Sequence, residues 1–219
     1  MDGGFRGTIE IVPEPPDGSY RTHLKWVLAA QREIADFLDA IGARAETPIE
    51  YHHGPLDWRF FRSVDRTTPS AYAQGWEVAY NVRGSLNKSA ISVRELIFHE
   101  TFHLNDQQRG YWSRAALGDD VDRIVAECGT DVACLTPYAP GKTRVRGGTY
   151  YAFQPDNGDI AREYAAELAV RYFIEQRAML AGEPLAEPAF KCGPEANAFA
   201  MQALADEFFG GVDLVPDCP

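Results

Sequence analysis

The segment His99-Glu100-Thr101-Phe102-His103 constrains this chain of 219 residues more than any other. Residues four apart lie one turn apart on the same face of a helix, so both imidazoles can reach one metal ion. Helical structure is expected here on independent grounds. Ser92-Val93-Arg94-Glu95 reads as a capping box, with Ile91 and Leu96 forming the hydrophobic staple around it, so the helix should start at Ser92. Glu100 stands beside the first imidazole, where it can take a proton from metal-bound water. Thr101, Phe102 and Leu104 are uncharged, as a buried helix requires. The ordinary alternative is a pair of surface histidines on a solvent-facing helix, and these neighbours argue against it.

The rest of the chain divides into a strand-rich first part and a helical second part, with no internal repeat. Residues 8–12 alternate and stop at Pro13, Pro15 and Pro16, the pattern of a strand. Leu24, Val27, Leu28, Ile34, Phe37, Leu38 and Ile41 recur at helical spacing before Gly42, predicting a helix over 24–41. Short β-rich runs follow at 49–52, 58–64 and 76–82, separated by Gly and Pro signals. Beyond the His helix, further helices are expected over 119–127, 160–181 and 194–209. Between them, 136–159 is rich in Pro and Gly and reads as a long functional loop. The expected class is α+β, in a single domain over 1–219 whose sheet-rich part is 1–90 and helical part 91–219.

Charge and cysteine content narrow the setting. With 21 basic and 32 acidic residues the net charge is −11, which argues against a nucleic acid or an anionic membrane as partner. No apolar run is long enough to span a bilayer. The four cysteines contain no Cys-x-x-Cys pair. Of the three possible pairings, 128–134 and 192–218 are expected, in an oxidising compartment; the alternative is four free thiols. The start of the chain has no signal-peptide pattern; the cysteines nevertheless point to export, so a secreted or periplasmic protein whose leader is missing here is expected.

One more pair of residues bears on the metal. Glu163 and Glu167 are four apart on a segment apolar nearly all round, with Ile160, Tyr164, Leu168, Val170, Tyr172, Phe173 and Ile174. Two carboxylates on a buried helix need cations or donors. A metal with its ligand histidine would satisfy both, and salt bridges to Arg162, Arg171 or other cations would do so differently. Lys142, Arg144 and Arg146 form the one dense basic cluster, which reads either as a subsite for an acidic substrate or as a solvated loop.

His99 to His103 resembles the zinc-binding helix of the zincin metallopeptidases. The metzincin extension is missing, since Asp106 and Arg109 stand where that group has Gly and His. Glu163 and Glu167 are similar to the carboxylate pair of the gluzincins. The spacing Glu-x-x-Ala-Glu resembles in particular the group of anthrax lethal factor and the secreted Pro-Pro endopeptidases. That resemblance covers two helices and implies a zincin-like fold, with a small mixed sheet and backing helix above a cleft and a helical lobe below. It implies one zinc ion on His99, His103 and Glu163, with a fourth position open for water and Glu167 accepting from a ligand imidazole. His23, His52 and His53 lie upstream, whereas zincins take the third ligand from downstream. Glu100 becomes the general base. Tyr150 or Tyr151 would stabilise the oxyanion, although the group's tyrosine position falls on Asp156 here. Gly129-Thr130-Asp131 is similar in part to the aspzincin turn, which makes Asp131 a rival ligand.

The function so implied is zinc-dependent endopeptidase activity by a monomer, on a peptide bound in extended form along the strand at 76–82. A metal-stabilised binding or toxin module without peptidase activity is the alternative. An interaction protein in which the His pair is accidental is a third.

Overall fold

The strands all lie in the first part of the chain, around one amphipathic helix, and the other helices follow them. The computed structural model describes residues 1–13, 15–145, 148–155 and 158–218. Among them are a four-stranded mixed sheet and six α-helices, an α+β architecture. In chain order they are β1 (Ile9–Ile11), α1 (Arg21–Gly42), β2 (Asp57–Ser63), β3 (Ala71–Gln74), β4 (Glu77–Asn81), α2 (Ala90–Gln108), α3 (Trp112–Cys128), α4 (Val132–Leu135), α5 (Ile160–Ala181) and α6 (Glu195–Phe208). By their contacts, Met1–Phe37 with His52–Leu104 form one unit, and Leu38–Tyr51 with Asn105–Pro219 another. Both α1 and α2 run unbroken through this division.

The first unit is built on the sheet, in the order β1-β2-β4-β3. β1 is antiparallel to β2, β2 parallel to β4, and β3 antiparallel to β4. β4 is paired on both sides, and Val78, Ala79, Tyr80 and Asn81 are all buried, as expected of a central strand. The strand read at 76–82 therefore has no free edge, which corrects its expected role in binding a peptide by strand addition. Trp76 itself is not in the strand. Gly75 and Trp76 have φ of 60° and 65°, the pair of positive values that a two-residue I′ hairpin turn needs. Val27, Ile34 and Phe37 of α1 and Val93, Ile97 and Phe98 of α2 are buried in this unit. Phe37 meets Phe98 edge-on at 6.1 Å, and Arg94 reaches Glu33 at 2.5 Å.

The link from β4 to α2 is locked by two buried amides. Asn87 Nδ2 donates to the carbonyls of Ser70 (2.9 Å) and Asn81 (2.7 Å), while Asn81 Nδ2 donates to Pro69 O at 3.0 Å. A side chain at Gly84 would collide with Asn87 and with the Ser70 backbone, so that position requires glycine. The cap of α2 lies one turn earlier than the capping box read from sequence. Ser89 Oγ accepts from Ser92 N (3.1 Å) and Ser92 Oγ from Ser89 N (3.1 Å), a reciprocal box with serine at both ends. Ile91, exposed at 59%, makes no staple.

In the second unit α5 lies at the centre. Ala161, Ala165, Ala166, Leu168, Ala169 and Phe173 are fully buried, and the small side chains allow close packing with α3. Tyr172 stacks on Phe209 at 4.3 Å and donates to Val212 O at 2.6 Å. The β-rich run at 49–52 is not a strand. Glu50 and Tyr51 both donate their N–H to Phe208 O (3.0 and 3.1 Å), which docks the run on the end of α6. Cys128 pairs with Cys134 and Cys192 with Cys218, as read, and the described residues hold no free cysteine. Two disulfides suggest an oxidising compartment. Among the described residues, no helix is long and apolar enough to cross a membrane.

Candidate metal centre

The site starts from the geometry of α2. Ser89 fixes its first turn, and three turns on, the four-residue spacing brings two imidazoles onto one stripe. His99 Nε2 and His103 Nε2 lie 3.1 Å apart, with ring planes at 84°. Two nitrogens at about 2.05 Å from one tetrahedral zinc would be about 3.3 Å apart, so this separation suits a shared ion. Thr101 Oγ1 donates to Ile97 O (2.7 Å), back along the helix, which keeps that hydroxyl away from the stripe.

Ligand atoms of His99, His103 and Glu163 all lie within 4.8 Å of one another. His99 is buried and the other two are half-buried. These three residues could hold a metal ion: two imidazole nitrogens and one carboxylate oxygen form a donor set familiar for zinc. Glu100, beside the first imidazole, is 7% exposed.

The chain matches no protein-family profile, no curated protein and no solved structure. The chemistry of the site therefore rests on its own residues.

The two arginines read from sequence as alternative partners of the α5 glutamates also face other carboxylates. Arg162 Nε lies 3.9 Å from Asp106 Oδ2, and Arg171 pairs with Glu175 at 2.6 Å and Glu187 at 3.2 Å. Around Glu167, the backbone of the preceding loop comes close, since a side chain at Gly141 would land on its Oε2. The rival ligand Asp131 has a structural job. It caps α4, accepting from Ala133 N (2.8 Å) and Cys134 N (3.4 Å). His23 sits on α1 with its Nδ1 at 2.9 Å from Tyr80 Oη, and its burial lowers its pKa.

Tyr150 is buried, with its hydroxyl 3.0 Å from Thr136 Oγ1 and accepting from Arg144 at 3.4 Å. The hydrogen bond with Thr136, and after it Arg144, hold its pKa below the ordinary tyrosine value. Tyr151 opens the 3-10 turn Tyr151–Phe153 and donates its N–H to Thr143 O at 2.8 Å. Asp156, at the tyrosine position of the similar group, and Arg146 of the basic cluster lie outside the described residues. The other two members of that cluster have partners, Lys142 with Glu187 at 2.5 Å and Arg144 over the Tyr150 ring at 4.9 Å. This favours a structural role for the cluster over a free anionic subsite.

Asp106 carries more than sequence reasoning assigned to it. It is fully buried and accepts from both Ser113 N (2.7 Å) and Ser113 Oγ (2.8 Å). A carboxylate seven residues after His99 falls on the same stripe of α2, and that spacing was the available signal.

Proposed function

We propose that this chain is a zinc-dependent endopeptidase of zincin type, with His99, His103 and Glu163 as metal ligands and Glu100 as general base. The observation that carries this reading is the approach of the two imidazoles and one carboxylate, two of them from a motif with a glutamate built into it. A zinc ion bound there would polarise a scissile carbonyl and lower the pKa of a coordinated water. Glu100 takes the proton of the attacking water and delivers it to the departing amine. Glu167 orients a ligand imidazole by accepting its second N–H. Tyr150 or Tyr151 donates to the developing oxyanion. The sheet leaves β1 and β3 as its edges, and β3, the longer, is the one offered to an extended peptide. The whole chain would act as one catalytic domain and as a monomer, in a secreted or periplasmic setting in keeping with its disulfides.

A binding or toxin module that uses the same metal only for stability is the second reading, favoured by the same three residues. Turnover separates the two. The purified chain is assayed on a fluorogenic peptide library as isolated, after chelation, after zinc is restored, and as Glu100→Gln. Zinc-restored cleavage that Glu100→Gln lacks supports the peptidase. Stoichiometric zinc without cleavage of any peptide supports the binding module.

A further inference from the structure

We infer that Asp106 is a positioning residue, which through Arg162 holds the Glu163-bearing turn of α5 in register with the helix that carries both histidines. The inference rests on the metal-site reading above and deepens it. His99, His103 and Asp106 occupy positions i, i+4 and i+7 of one helix, so the carboxylate continues the imidazole stripe by one turn. Its immediate partner is Ser113 at the start of α3, whose N–H and hydroxyl donate to its two oxygens. As a cap this needs no charge: an asparagine would accept from Ser113 N, and the serine hydroxyl would accept from its amide. The charge has another use.

Arg162 supplies it. This residue directly precedes Glu163, and its Nε is buried without a hydrogen-bond partner, with Asp106 Oδ2 at 3.9 Å. The guanidinium also lies over the Tyr111 ring at 4.5 Å. Tyr111 is held in the left-handed region at φ 63°, its N–H donating to the Asp106 carbonyl at 2.8 Å. One residue of the α2–α3 turn and one of the last turn of α2 therefore grip Arg162 from two directions. Glu163 is the next residue on that helix. With Arg162 about one-third exposed, the ion pair contributes little to stability. What it sets is where the next side chain along α5 stands.

Zinc affinity of the full chain, measured by competition with a chromogenic chelator, tests this beside the unfolding temperature of the metal-free protein. Arg162→Gln leaves the Asp106–Ser113 cap intact, and Asp106→Asn keeps an acceptor for it. Each should weaken zinc binding on the order of 10-fold, and the double variant no further, with metal-free unfolding close to wild type. Ser113→Ala should lower the unfolding temperature and leave zinc affinity unchanged. Wild-type zinc affinity in Arg162→Gln overturns the inference, as does an equal loss in Ser113→Ala. A wild-type chain that takes up no zinc overturns the site reading and this inference with it, an outcome distinct from either.

Discussion

His99 and His103 turn their Nε2 atoms to within 3.1 Å of each other, with ring planes nearly perpendicular. Two imidazoles one turn apart have many rotamers that would separate them. Here both nitrogens stand where one ion could reach them, and a ligand oxygen of Glu163 lies within 4.8 Å of them.

Zinc should therefore stabilise the folded chain by mass action, because the unfolded chain does not hold its three donors together. Thermal unfolding in a zinc titration should show a midpoint that rises with free metal, and one ion per chain by elemental analysis. His103→Ala should unfold at one temperature whatever the zinc concentration. A midpoint insensitive to zinc in the wild type removes the metal from the protein's chemistry.

Glu100→Gln preserves shape at a buried position and removes only the ability to take a proton. The variant should keep one zinc per chain and lose peptide hydrolysis by at least about 100-fold, within the range that general base catalysis supplies. Turnover at the wild-type rate in Glu100→Gln would show that another group carries the proton.

The elements that local chemistry specifies were legible before the structure. The span read for α5, 160–181, is the one observed, because Asp159 caps its first turn and Gly182, at φ 68°, ends it. The His pair was legible for the same reason, since one helix generates its spacing. The central place of β4 was not, because pairing order is decided by partners far away in sequence. The capping box read at Ser92 and Glu95 missed the start of α2 by one turn, because Ser92 bonds back to Ser89 and closes the box there. Asp106 escaped because its role appears only when the ends of three helices come together.

The two disulfides should differ in value. Cys192–Cys218 closes a span of 26 residues around α6, against 6 for Cys128–Cys134. On loop-closure entropy alone these correspond to about 3.5 and about 2 kcal/mol. Denaturant unfolding of the two double Cys→Ser variants should find the 192–218 variant the less stable. The reverse order would mean that α4 and its loop carry stability that chain entropy does not describe.

The two α5 glutamates should have different jobs, although they share a helix face. Glu163 is the one whose oxygen approaches both imidazole nitrogens, and Glu163→Ala should lose its zinc in dialysis. Glu167, one turn on, meets the loop backbone at Gly141, where an added Cβ would fall on its Oε2. Glu167→Ala should bind zinc about 10–100-fold more weakly, as a residue acting through a ligand does. Gly141→Ala gives an independent check, because its new methyl group would occupy the place of Glu167 Oε2 and displace the carboxylate. It should reproduce the weakened binding of Glu167→Ala with the glutamate still present, read by the same chelator competition. If Glu167→Ala emerges free of metal and Glu163→Ala retains it, the ligand assignment on α5 is off by one turn. Wild-type affinity in Gly141→Ala would instead confine Glu167 to holding the loop.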